Sequence, residues 1–290
     1  MKSYFLIFLI CFIAGAGQAS ERYMHSETVS MNSQEDTVSR NWFNNNIRTY
    51  SREGKFYLQL GLNWSYYARS DINFDGPGYD FTLEDVEAKD QPYKSSLQYN
   101  IHAGYHITDN YSISLGFDHM KYVMKIPQQL IISGVIEPQV SSPAYSSGPY
   151  AGNYFSQSIA VTPEMLTLEY TDGFNYLSTH VQRLDDVWFS DNSRTLLALE
   201  TGVGAGLIVP RSDVKLFGVG KNNRMNIAGW SASAKAGLML NFNKRFYFLG
   251  SLEAGYANMD KIFTTGRNDF DKASQKLNYV QNTYLIGLRF

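Results

Sequence analysis

Cysteine is nearly missing from this sequence. The 290 residues include one, Cys11, inside an apolar N-terminal run, so the chain beyond it can form no disulfide and use no thiol chemistry. Charge is sparse as well. Only 18% of residues are charged, the net charge is -2 and no cluster of Lys or Arg occurs, which excludes the usual nucleic-acid binder. Past the N-terminus, no stretch approaches the roughly 18 consecutive apolar residues that a membrane-spanning helix requires, so a polytopic helical membrane protein is excluded too. The one glycine-rich candidate, Gly202-x-Gly204-x-Gly206, has the wrong spacing for a dinucleotide fingerprint and leads into no helix. It reads as packing, and no cofactor is expected.

Other features are abundant. Lys2 supplies a positive start, Tyr4 to Ala14 is apolar, and Gly17-Gln18-Ala19 places small residues at a cleavage position. Residues 1–19 therefore read as a secretory signal peptide. Residues 20–54 are polar and aperiodic, with NWFNNN at Asn41 to Asn46, and read as a mobile periplasmic leader or a short interfacial segment around Trp42 and Phe43. From residue 55 to 290 the hydrophobic period is two.

FYLQLGLNWSYYA, Phe56 to Ala68, sets Phe56, Leu58, Leu60, Leu62, Trp64 and Tyr66 against a polar, glycine-bearing face. The same alternation marks Leu97 to Ile107, Tyr111 to Phe117, Leu166 to Leu184 with a bulge at Asp172-Gly173, Leu196 to Val209, Trp230 to Leu240, Phe246 to Ala257 and the C-terminal NTYLIGLRF. That makes about eight strands. Short connections at 108–110, 185–193 and 241–245 alternate with long ones at 70–96, 126–163, 211–228 and 261–277. Such segregation is the habit of a bacterial transmembrane barrel. The two faces agree: one is broad and aromatic, the other small and polar. A glycine stripe suits the crowded inside of a narrow barrel better than a water-facing surface.

On the signal peptide, the alternation and the terminal pattern Tyr284, Ile286, Leu288, Phe290, the chain resembles bacterial outer-membrane β-barrels of the eight-stranded OmpA/OmpX type. The resemblance covers residues 55–290. It implies an all-β, eight-stranded antiparallel transmembrane barrel in the outer membrane, with short periplasmic turns and long extracellular loops. It also implies that the terminal aromatic pattern is read by the barrel-insertion machinery. Outer-membrane lipid and lipopolysaccharide are the expected surroundings, no nucleic-acid partner is expected, and the chain reads as a monomer.

Several residues are candidates for chemistry. Glu200, Lys235, Glu253 and Arg289 fall on the inward face of four successive strands. Charges removed from water must be paired, so these read as an interior ion network, with Arg289 at a lower level. Ser178, His180 and Asp118, with His102 and His106, also point inward and contain the residue types of a hydrolase. Ser178 and His180 lie about 7 Å apart along an extended chain, too far for a hydrogen bond unless their side chains lean together. Their order, Ser-x-His, is the reverse of the His-x-Ser arrangement sought in barrel lipid A deacylases. Asp71, Asn73, Asp75 and Gly76 match the opening of a calcium loop, but Thr82 stands where a bidentate Glu is needed. That stretch reads as a hairpin turning at Gly76-Pro77-Gly78. Tyr145, Tyr150 and Tyr154 suit a contact patch on a long loop, and His119 and Lys121 are expected to face outward at the upper membrane boundary. The function expected is non-enzymatic, either envelope-structural or surface-binding through the long loops. An enzyme modifying lipid A or phospholipid and a narrow passive channel are the alternatives.

Overall fold

The computed structural model describes residues 50–92, 97–190, 195–220, 224–266 and 270–290. The segment read as a signal peptide, and the part of the expected leader up to residue 49, lie outside them. In chain order the strands are β1 (Phe56–Tyr67), β2 (Ser70–Gly76), β3 (Tyr79–Val86), β4 (Ala88–Lys89), β5 (Tyr99–His106), β6 (Tyr111–Met124), β7 (Gln128–Ile136) and β8 (Gln139–Val140). They continue with β9 (Tyr145–Ser146), β10 (Gly152–Val161), β11 (Leu166–Phe189), β12 (Leu196–Pro210), β13 (Asp213–Leu216), β14 (Gly229–Asn241), β15 (Phe246–Phe263) and β16 (Lys272–Arg289).

Eight of these strands close a ring. Around it run β1, β5, β6, β11, β12, β14, β15 and β16, every pairing antiparallel, and β16 returns to β1 with Tyr57 opposite Arg289 and Tyr67 opposite Tyr279. The last residue is held in the closing seam. Phe290 N–H donates to Phe56 O at 2.9 Å and Phe56 N–H to Phe290 O at 3.1 Å. The Phe56 and Phe290 rings stack with centroids 6.4 Å apart.

Around the lower ring, large apolar side chains point outward and stay exposed, among them Leu60, Ile101, Leu115, Val203, Leu252 and Ile286. Water would penalise such a belt, while hydrocarbon accepts it. The closed ring also leaves no backbone edge unpaired within that belt. The barrel is transmembrane on both counts.

Several strands extend beyond the sequence expectation, and β6, β15 and β16 do so for one reason. β6 continues past Phe117 to Met124, β15 past Ala257 to Phe263, and β11 past Leu184 to Phe189. In the first two the alternation persists while its polarity inverts. The inward positions of β16 run Arg289, Thr283 and Gln281 within the belt; above Tyr279 the same parity places Leu277 and Ala273 inside and Lys276 and Lys272 outside. Inward Asp118 on β6 gives way likewise to Met120, Tyr122 and Met124. A strand that leaves lipid for water must exchange its apolar face for a polar one, so the inversion marks the upper membrane boundary.

Above that boundary the long connections are built rather than loose. β2, β3, β7 and β10 extend the sheet from the upper part of β16, and β13 pairs with β11. The stretch at Asp71 to Thr82 is a hairpin, as its turn residues suggest, with Gly78 at φ 81°. Gly173 at φ 136° sits in the irregularity between Tyr170 and Phe174, where the bulge was expected. The connection 126–163, expected as a loop, contains β7 and β10 instead. Ile72, Phe81, Leu83, Ile132, Leu168 and Leu216 join the barrel's upper residues in a hydrophobic core.

One carboxylate pins this cap. Asp271, fully buried, accepts hydrogen bonds from Tyr79 Oη at 3.0 Å, from Ser141 Oγ at 2.6 Å and from Thr265 Oγ1, tying three separate connections together. Burial first, and the neighbouring Asp271 second, push the Tyr79 hydroxyl well above the ordinary tyrosine range. Asp271→Ala should lower the local stability of the cap by about 2 kcal/mol, read as faster amide exchange in β2, β3 and β7 with the barrel strands unaffected. Because the folded pKa of Tyr79 is raised, its contribution is complete below the unfolded value and fades as pH rises from about 10 upward. The same amides should therefore lose protection first in alkali.

Candidate functional site

The polar interior of the barrel is the place where titratable groups meet. Eight strands leave a lumen only wide enough for side chains, and the wall glycines decide which rings fit. A Cβ on Gly104 would lie 2.2 Å from the Tyr57 ring, and one on Gly204 would lie 2.2 Å from His180 Cδ2. The bare positions thus let Tyr57 and His180 lie flat against the neighbouring strand.

His180 is the hub. Its Nδ1 is 3.2 Å from Ser178 Oγ, and its Nε2 is 3.3 Å from Glu253 Oε1 and 3.4 Å from Ser233 Oγ. The Ser178–His180 contact meets the condition that strand spacing sets: the side chains lean together along β11. Asp118 does not join them. It binds His102 Nε2 at 2.7 Å and Asn100 Nδ2, and His102 stacks on His180 with centroids 6.1 Å apart.

The charged residues split into separate groups. Lys235 Nζ lies 2.9 Å from Glu200 Oε1. Glu253 is the register partner of Lys235 across β14 and β15, yet its carboxylate bonds to His180. Arg289 stands apart from all three. It donates to His106 Nε2 at 3.2 Å, to Asn241 Oδ1 at 3.3 Å and to Lys244 O at 3.3 Å, and covers the Tyr247 ring at 4.9 Å. Of the expected four-residue network, Glu200, Lys235 and Glu253 interact, with His180 added on Glu253, while Arg289 stands in a separate set nearer the short turns.

Arg52 was missed by the sequence reading. It lies inside the segment read as a mobile leader, but it is fully buried, with its guanidinium on Asp186 and on Asp109 O. Its backbone N–H donates to Asp109 Oδ1 at 2.6 Å. Polar composition around it gave no signal, because its partners lie 57 and 134 residues away.

As chemistry, Ser178–His180–Glu253 has the members of a hydrolytic triad, with the two ring nitrogens exchanged relative to the usual serine-hydrolase assignment. A hydrolase also needs a substrate carbonyl beside the hydroxyl and donors for the oxyanion. Here Ser178, His180 and Glu253 are all buried. Tyr176, whose ring is 6.2 Å from that of His180, and the Phe174–Tyr279 pair belong to the apolar core above. Leu184, Met239, Tyr247, Leu249 and Leu285 form an apolar cluster on the short-turn side. The relay is enclosed in protein.

The other candidates are dispersed. Asp71, Asn73 and Asp75 lie on β2 with separate partners: the Asp85 N–H at 2.8 Å, Asp80 Oδ1 at 2.9 Å and Lys272 Nζ at 3.0 Å. Among the described residues no group of three or more His, Cys, Asp or Glu is placed to hold a metal ion. Tyr145, Tyr150 and Tyr154 are half-buried and pack against the cap core; Tyr150 stacks on Phe217 and Tyr154 Oη donates to Tyr150 O at 2.7 Å. His119 and Lys121 are buried, not exposed to a lipid boundary. His119 Nδ1 meets Asn175 Oδ1 at 2.7 Å, its ring stacks on Tyr99, and Lys121 lies near the Asp90 carboxylate.

No family model matches the chain, and no curated protein matches it. Among solved structures it is similar to small outer-membrane β-barrel proteins. The attachment invasion locus protein Ail of Yersinia pestis shares 15% identity, with 82% of this chain and 99% of that one covered and a TM-score of 0.31. OprG of Pseudomonas aeruginosa shares 10%, with 82% and 97% covered and a TM-score of 0.37. Neisserial surface protein A shares 12%, with 82% and 98% covered and a TM-score of 0.31.

Replacing Lys235 with Met should leave Glu200 buried without its partner and lower the unfolding free energy by about 3 kcal/mol. Denaturant unfolding in detergent micelles measures this. An unchanged midpoint would mean that Glu200 reaches water.

Proposed function

We propose that this protein is a non-enzymatic outer-membrane barrel that presents an ordered cap at the cell surface, serving envelope structure or surface binding. The observation that carries this reading is the contrast between the two ends of the molecule. The barrel interior is filled by side chains and closed by apolar residues on both sides of His180. The long connections, in contrast, form a folded sheet outside the belt. Energy of folding has gone into the cap, and connections between strands need no such construction merely to turn the chain.

The outer membrane is the bilayer whose proteins cross by barrels of this kind, and the N-terminal signal peptide supplies the route to it. Short turns then face the periplasm and the cap faces outside, among lipopolysaccharide. Tyr284, Ile286, Leu288 and Phe290 are the outward residues of the closing strand and serve as the insertion signal. Deleting Phe290 should reduce recovery of folded protein in the outer-membrane fraction, because it removes both closing hydrogen bonds to Phe56. Normal recovery would count against that role.

The Ser178–His180–Glu253 arrangement favours one second reading, an enzyme acting on membrane acyl chains. Mass spectrometry of lipid A and phospholipids from cells with and without the protein separates the two. Unchanged acyl composition is expected. A mass change abolished by Ser178→Ala would reverse the ranking. A passive channel is tested by conductance in planar bilayers, where the filled lumen should pass no steady current.

A further inference from the structure

We propose that the free edge of β10 is where two copies of this chain join, strand against strand. The inference rests on the reading of the barrel as membrane-inserted, and it goes beyond that reading by assigning the cap an occupant.

β10 is the terminal strand of the extended sheet. β7 pairs with it on one side, and among the described residues no strand pairs with the other. An unpaired row of N–H and C=O groups is a template for another strand, and natural proteins usually blunt such edges with lysine, proline, inward-pointing charge or a β-bulge. Within the strand this edge has no lysine, proline or charge, and its one such device is the irregularity at Ser156. From Pro138 to Pro163 the sequence has no Asp, Glu, Lys or Arg, and β7 has none either. The single interruption is at Ser156, with φ 55°, where the register shifts between Tyr154 and Gln157. It leaves Gln157 to Val161 as a regular stretch. Phe155 beside it is 81% exposed, and Ile131 and Val135 of β7 are exposed as well.

A second copy is the occupant these features favour. Two identical charged edges would repel, whereas two identical neutral edges do not. Barrel insertion also fixes every copy in one orientation with its β10 at one height above the membrane. A twofold axis along the membrane normal makes the contact isologous, and the pairing requires β10 to run across that axis so that the two copies are antiparallel. Confinement to one plane raises the effective concentration for that contact. Gln157 and Ser158 can each serve as donor and acceptor to their own counterparts, and the two Phe155 side chains gain cover that the single chain does not give them.

The test uses the full-length protein with Cys11→Ser, inserted in phosphatidylcholine/phosphatidylglycerol vesicles, with Gln157→Cys on β10 or Lys276→Cys on the outer face of β16 as control. Oxidation should give a disulfide-linked dimer for Gln157→Cys and none for Lys276→Cys. Adding Phe155→Asp, which places like charges across the axis, should abolish the dimer. Heat-modifiable migration in gels, which reports the folded barrel, should be the same in all variants; its loss in every variant would instead indict the barrel reading. Monomer throughout, equal cross-linking at both sites, or a dimer indifferent to Phe155→Asp would each overturn the proposal. So would a monomer whose β10 amides gain protection only when a soluble extended peptide is added, which would assign the edge to a foreign strand.

Discussion

Closure of the ring between β1 and β16 is the constraint from which the rest of the molecule follows. In hydrocarbon an unpaired peptide group costs several kcal/mol, so every strand in the belt must have two neighbours. Eleven consecutive register pairs, from Tyr57–Arg289 to Tyr67–Tyr279, supply the last set. Closing at eight strands sets the width of the lumen, and that width admits side chains and little else. Glycines opposite Tyr57 and His180, the pairing of Lys235 with Glu200, and the burial of Arg52 and Arg289 are consequences of filling a narrow polar space completely. A buried ion pair is weak evidence of stability by itself. Here it is what remains when charged side chains have nowhere else to go.

The same strands serve two solvents. Within the belt they show lipid their apolar side and keep polar groups inside; above it they do the reverse without changing parity. The inversion at Asn278–Tyr279 on β16 and at Asp118–Met120 on β6 lets a single strand cross the boundary and become part of a water-soluble cap. That cap has its own apolar core, fixed by the hydroxyls gathered on Asp271. The Ser178–His180–Glu253 relay lies between the apolar core of the cap and the Tyr247 cluster, in the part of the molecule with least access to any substrate.

Legibility in the sequence followed the range of the interactions. The eight barrel strands, the hairpin at Gly76 to Gly78, the bulge near Gly173 and the outward set Tyr284, Ile286, Leu288 and Phe290 depend on local alternation or turn chemistry and could be read. In contrast, β7, β10 and β13 of the cap lie in stretches that read as loops. The ends of β6 and β15 could not, because a polar residue outside and an apolar one inside looks like the loss of a lipid-facing strand. The tyrosines of the 126–163 region looked like a contact patch, since composition does not tell a ring packed on Phe217 from one in water. Whether Ser178 and His180 touch could not be read, because strand spacing fixes Cα positions but not the lean of side chains.

The sequence by itself determined the alternation, the even division into short and long connections, and therefore which residues face into the barrel. Those properties reside in neighbouring positions along the chain. Only the tertiary structure decided partners: Glu253 with His180 as well as Lys235, Asp118 with His102, Arg289 with His106 and Asn241, Arg52 with Asp186. Each choice depends on the stagger between strands and on which glycine leaves room for which ring, and no periodicity along one strand records the height at which it meets the next.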